Sequence, residues 1–96
     1  MKILFICDIV AAPGREIVNR YLQDIRNELS IDFVIANVEN LAHGRGVTDL
    51  TLSEMQNAGV DFFTGGDHVF WQRDTQELFE KYPLIRPANY PDVVFG

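Results

Sequence analysis

Ninety-six residues, 47% of them hydrophobic and 11% aromatic, make one globular domain and exclude a disordered chain. Eight basic against fourteen acidic residues leave a net charge of −6, which argues against binding duplex nucleic acid through a basic surface. The single cysteine, Cys7, excludes an internal disulfide, and no apolar run reaches the roughly 20 residues of a membrane span.

The first predicted element is a strand. Lys2-Ile3-Leu4-Phe5-Ile6-Cys7 is a short, continuous apolar run that ends at Asp8, as buried strands of parallel sheets do. Cys7 is expected to be a small buried residue of that strand. Asp8 interrupts the run too soon for a signal peptide, so the expected location is the cytoplasm. Pro13 and Gly14 open a helix in which Ile17, Val18, Tyr21, Leu22, Ile25 and Leu29 recur at helical spacing. Arg15, Asn19, Arg20, Gln23, Asp24, Arg26 and Asn27 occupy its other face, so one side packs on a sheet. A second apolar run, Asp32-Phe33-Val34-Ile35-Ala36, leads into Asn37-Val38-Glu39-Asn40. Strand, helix and strand together form a βαβ unit, whose crossover is expected to be right-handed.

Leu41 to Val47 reads as a loop. Thr48 or Asp49 then caps a short helix carrying Leu50, Leu52, Met55 and Ala58, and Gly59 ends it. The third strand, Val60-Asp61-Phe62-Phe63, leads through Thr64-Gly65-Gly66 into Asp67-His68. Asp74 and Glu77 have capping-box spacing for a further helix to Tyr82, which Pro83 stops. Leu84-Ile85 is a fourth short strand, followed by an irregular, proline-containing stretch from Arg86 to Pro91. The final Val93-Val94-Phe95-Gly96 resembles the start of another strand.

Ligands of open α/β sheets collect outside the carboxyl ends of the strands. If these strands lie side by side, Asp8, Glu39, Asn40, Asp67 and His68 converge on one edge as a site for hard or borderline cations. Such cations also explain how an acidic protein accepts a phosphate, since they reverse the local sign of charge. The first turn lacks G-x-G-x-x-G, which sets a dinucleotide site aside. Each residue also has a structural explanation. Asp8 suits a helix cap or turn, Glu39 a solvated loop, and His68 a hydrogen-bonded loop histidine. Taken together, carboxylates that hold or bridge cations and a histidine able to give up a proton near neutral pH point to hydrolytic chemistry. His43 and Arg45 are candidates for substrate contact, and Arg45 for a phosphate. Phe70 and Trp71 suit core packing or stacking on a base.

Several of these segments carry a family resemblance. Asp8-Ile9-Val10 with Pro13-Gly14-Arg15, the run from Asp32 to Asn37 leading to Glu39-Asn40, Gly66-x-His68, and Arg86-Pro87-Ala88-Asn89-Tyr90-Pro91 resemble the YmdB-type bacterial metallophosphoesterases. The likeness runs in register from Met1 to about Pro91. It implies one truncated domain over residues 1–96: the N-terminal half of a three-layer α/β/α metallophosphoesterase-like fold, with a parallel sheet and alternating strands and helices. It also implies hydrolysis of 2′,3′-cyclic nucleotides or related phosphodiesters at a dinuclear iron or manganese centre. By that resemblance Asp8 and Asn40 hold the first metal, Glu39 bridges both, and Asp67 holds the second. A metal-bound hydroxide attacks phosphorus, and His68 protonates the leaving group.

The sequence departs from the family in two ways. Asp67 stands where the family has Asn, adding a negative charge where the phosphate binds. The chain is also much shorter, and neither His43 nor His68 matches the family's C-terminal histidine ligands. The open sheet edge invites a second copy or a complementing chain. The alternative reading is therefore a non-catalytic metal- or nucleotide-binding module, or a self-associating fragment.

Overall fold

A computed structural model describes residues 1–42, 46–66 and 75–88. Strands and helices alternate along it: β1 (Ile3–Ile6), α1 (Ala11–Leu29), β2 (Phe33–Asn37), α2 (Asp49–Ala58), β3 (Phe62–Thr64), α3 (Thr75–Lys81) and β4 (Leu84–Ile85). The four strands pair in parallel in the order β1-β2-β3-β4, each beside its predecessor. All four strands read from the sequence are present. The terminal run at 93–96 and the Asp74 cap lie outside the described residues.

That strand order decides where the helices go. Right-handed crossovers that always step in the same direction place every helix on the same face of the sheet. Burial follows this rule. In register, Leu4 pairs with Val34, Ile6 with Ala36, Ala36 with Phe63, and Phe63 with Leu84. These residues form one core with Val18 and Leu22 of α1, Leu52 and Met55 of α2, and Leu78 of α3. The opposite face carries Ile3, Phe5, Phe33, Ile35, Phe62 and Ile85, of which Ile3, Phe5 and Ile85 are exposed and the others half-buried. The described residues thus supply the sheet and one helical layer.

Two expectations are corrected. Cys7 is exposed rather than buried. It follows Ile3 and Phe5 in strand alternation, on the face that no described helix covers. The apolar stripe of α1 is also only partly buried: Val18 and Leu22 reach the core, while Ile17, Tyr21 and Leu29 remain at least half exposed. They project beyond β1, past which the described residues place no strand.

Helix ends show how local and distant chemistry combine. α2 begins with a reciprocal capping box between Thr48 and Thr51 and ends at Gly59, whose φ of 119° favours glycine. α1 starts at Ala11, two residues before Pro13, and its N-cap Val10 makes no side-chain cap bond. The Ala11 N–H instead donates to the Asn40 carbonyl at 3.0 Å. Pro13 fits the first turn, where its missing N–H leaves no helical bond unmade.

Two polar junctions lock the layers, the first of them at the end of the sheet away from Asp8. Asp61 Oδ2 accepts from Arg26 Nη1 and from the buried Val34 N–H, each at 2.9 Å. Arg26 also reaches the Gly59 carbonyl at 2.7 Å, tying α1 to the end of α2. Beside α2, the Asp49 carboxylate accepts from the Tyr82 hydroxyl and pairs with Lys81 at 2.9 Å.

Candidate active site

β1 ends at Ile6, and the chain turns sharply just beyond it. Asp8 has φ of 50° and Ala11 has φ of 51°, both in the left-handed region that non-glycine residues rarely occupy. Aspartate tolerates it better than most because its short polar side chain bonds locally. The turn is pinned to the end of β2 by two backbone bonds, Ile9 N–H to Asn37 O at 3.3 Å and Ala11 N–H to Asn40 O. The buried Ile9 side chain anchors it from below.

The segment after β2 is equally constrained. Val38 N–H donates to Thr64 O at 2.9 Å, Leu41 N–H returns to Val38 O at 3.1 Å, and Gly46 N–H donates to Glu39 O. Val38, Leu41, Ala42 and Val47 are buried, so the described part of this connection is well packed, with Glu39 and Asn40 half-buried. Arg15 braces it from α1, donating to Leu41 O at 2.6 Å while paired with Glu54 at 3.1 Å. In sequence Arg15 reads as a solvent-facing helix residue; its support of this turn comes from a residue 26 positions away.

Three candidate residues fall in this region. Asn40 Nδ2 donates to Asp8 Oδ1 at 2.7 Å, so the residues after the first and second strands meet as their positions predict. With its amide nitrogen turned to Asp8, Asn40 directs its carbonyl oxygen elsewhere. Glu39 presses its carboxylate against Gly66 at the end of the third strand, where any Cβ would overlap it. The paired glycines expected to admit a ligand therefore first admit a glutamate side chain. Asp8 is exposed, while Glu39 and Asn40 are half-buried. His43, Arg45, Asp67 and His68, together with Phe70 and Trp71, lie outside the described residues.

One residue in the same place escaped the sequence analysis. Asn37 closes β2, and its Oδ1 is buried with no hydrogen-bond partner among the described residues. Buried polar atoms are nearly always satisfied, so an orphan acceptor at a ligand-binding edge stands out. The signal in the sequence was a lone amide ending an apolar strand.

The donors suit a hard divalent cation. Asp8 and Glu39 offer carboxylates and Asn40 and Asn37 amide oxygens, an all-oxygen set of the kind manganese and magnesium prefer. Among the described residues no three Asp, Glu, His or Cys side chains cluster closely enough to hold a metal by themselves. Any cation held here would need the amide oxygens and further ligands from elsewhere.

A parallel sheet with helical crossovers and an oxygen-rich carboxyl edge places the chain in the α/β class, with the fold of known phosphatase structures. The chain belongs to the YmdB-like protein family, whose model matches residues 4–96. It is 37% identical over 93 residues to the 2′,3′-cyclic-nucleotide 2′-phosphodiesterase of Bacillus subtilis, covering 96% of this chain and 35% of that protein. It is 32% identical over 90 residues to a putative phosphatase/phosphodiesterase of Mycoplasma genitalium, covering 93% of this chain and 32% of that protein. A hypothetical protein from Thermus thermophilus superposes with a TM-score of 0.94 at 40% identity, over 100% of this chain and 37% of its own. A phosphatase from Mycoplasma pneumoniae superposes with a TM-score of 0.91 at 32% identity, over 95% of this chain and 33% of its own. The chain spans about a third of the length of the curated relatives it matches.

Proposed function

We propose that the chain carries the N-terminal half of the active site of a metal-dependent phosphodiesterase that acts on 2′,3′-cyclic nucleotides or related small phosphodiesters in the cytoplasm. The observation that carries this reading is the meeting of Asp8 and Asn40 at 2.7 Å on the carboxyl edge of the sheet, with Glu39 in the same turn. The name of the Bacillus subtilis relative supports the substrate class.

Asp8, Glu39, Asn40 and Asp67 would hold divalent iron or manganese, two ions in the complete site. Bound there, the ions polarise the phosphoryl group and activate water. Asp8 and Glu39 contribute negative charge that keeps the cations in place. Asn40 donates to Asp8 and so fixes the carboxylate's orientation, the role of a supporting hydrogen bond at a metal site. His68 delivers a proton to the departing oxygen. His43 and Arg45 contact the substrate, Arg45 through its phosphate. A second copy or a complementing chain supplies the remaining ligands.

The test is hydrolysis of a 2′,3′-cyclic nucleotide by the 96-residue chain with added manganese, beside Asp8→Ala and His68→Ala. Turnover lost in both variants supports the reading. Manganese uptake by folded protein without turnover favours a binding module that requires its complement. No uptake at all rejects the site.

A further inference from the structure

The backbone carbonyls from Asn37 to Leu41 run through the turn that carries Glu39 and Asn40, and every one of them is bonded. Asn37 O accepts from the Ile9 N–H at 3.3 Å, Val38 O from Leu41 at 3.1 Å, Glu39 O from Gly46, and Asn40 O from Ala11 at 3.0 Å. All of those donors are backbone groups. The last carbonyl is held by a side chain instead: Arg15 Nη1 donates to Leu41 O at 2.6 Å. Ala11 and Arg15 stand one helical turn apart, so the start of α1 grips two consecutive carbonyls of this segment.

The guanidinium is itself aimed from a third element. Its Nε donates to Glu54 Oε2 of α2 at 3.1 Å, and Asn19 Nδ2 donates to Glu54 Oε1 at 2.7 Å. Both oxygens of the Glu54 carboxylate are thus engaged by α1. A guanidinium presents its donors at fixed angles in one plane, so the bond from Nε to Glu54 sets the direction in which Nη1 points. Arg15 and Glu54 are half-buried, where solvent screens such a pair less than on open surface. The chain of contacts runs from α2 through Glu54 and Arg15 to Leu41 O, next to Asn40.

We propose that Arg15 is a positioning residue for the candidate cation site, anchored by Glu54 and acting through Leu41 O on Glu39 and Asn40. The inference rests on the cation reading of Asp8, Glu39 and Asn40. The directions of the Glu39 and Asn40 side chains follow from the backbone that these bonds fix, and Arg15 supplies the one bond that comes from a side chain. Asn40 shows how closely the parts are fitted. Its amide reaches Asp8 Oδ1 at 2.7 Å while its own carbonyl is held by Ala11. A supporting shell that lets ligands drift by about 1 Å is enough to spoil such a site.

Calorimetric titration of the chain with manganese, scaled to the folded fraction, tests it. Arg15→Met keeps an unbranched apolar stem, removes both bonds, and should weaken manganese binding by about tenfold. Arg15→Lys keeps the charge but has one ammonium in place of two divergent donors, and should not restore binding. Asp61→Ala, which breaks the junction at the other end of the sheet, controls for lost stability and should bind as wild type does. Glu54→Gln should weaken binding less than Arg15→Met, and combining the two should weaken it no further than Arg15→Met alone. Wild-type affinity in folded Arg15→Met overturns the inference while the cation site stands. Full recovery in Arg15→Lys overturns it too, because charge alone would then suffice. Equal losses in Arg15→Met and Asp61→Ala trace the effect to stability and also overturn it. If wild type itself takes up no manganese, the cation reading fails and the inference with it. If Arg15→Met does not fold, Glu54→Gln decides, and unchanged affinity there overturns the inference.

Discussion

Glu39 lies so close against Gly66 that a single methyl group at residue 66 would overlap its carboxylate. The ends of β2 and β3 are therefore fitted to each other by a missing side chain. Gly66→Ala should displace Glu39 and lower manganese affinity by about 10–100-fold, the range seen when a metal ligand loses its support. Calorimetric titration of the folded variant checks this. Unchanged affinity would remove Glu39 from the set of ligands.

Asn40 presents an amide donor to Asp8, and replacing it by a carboxylate reverses the interaction. Asn40→Asp sets like charges side by side and should lower stability by about 1 kcal/mol without metal. A divalent cation between the two carboxylates offsets the repulsion, so added manganese should narrow the gap from wild type. Thermal melts with and without manganese measure it. A gap insensitive to manganese would place the cation elsewhere.

Asp61 satisfies both the Arg26 guanidinium and the buried Val34 N–H. Asp61→Ala leaves the buried Val34 N–H unmatched and strips Arg26 of its carboxylate, though not of the Gly59 carbonyl, and should destabilise the fold by about 2 kcal/mol. Urea unfolding would show a lower midpoint with an unchanged slope. Because this junction sits at the end of the sheet away from Asp8, metal affinity per folded molecule should stay the same.

The Asp49 cluster predicts a pH dependence. The Tyr82 hydroxyl, and after it Lys81, hold the Asp49 carboxyl below its ordinary 3.8. Burial, and after it the bond to Asp49, pushes the Tyr82 hydroxyl above its ordinary 10.0. A lowered acid stabilises the fold above its ordinary value and loses that contribution as pH falls through the lowered one. A raised phenol does so below its ordinary value and loses it as pH rises through the raised one. The stability difference between wild type and Tyr82→Phe should therefore be constant between about pH 5 and 9 and shrink on either side. Denaturant titrations across that range decide it, and a difference that persists undiminished into strong acid would contradict the assignment.

Much of the fold was legible because each strand is a short apolar run closed by polar residues. The start of α1 was not. Its first N–H is satisfied by the Asn40 carbonyl, far along the chain, and no local capping rule reaches that far. The periodicity of α1 showed which residues were apolar but not that Ile17 and Tyr21 overhang the sheet, since that depends on β1 being an edge. The pairing of Asp8 with Asn40 was readable, because both follow strands that lie side by side. The close fit of Glu39 on Gly66 and the orphan oxygen of Asn37 belong to three-dimensional packing, and the sequence showed only that small and polar residues stood there.

The strictly sequential strand order bears on how the chain is made. Synthesis delivers each βα unit next to the strand that left the ribosome just before it, so no gap in the sheet waits for a later segment to be threaded in. β2, β3 and β4 each find their inner neighbour already present. Among the described residues the outer side of β1 has no neighbour, so β2, β3 and β4 dock in turn on one flank only.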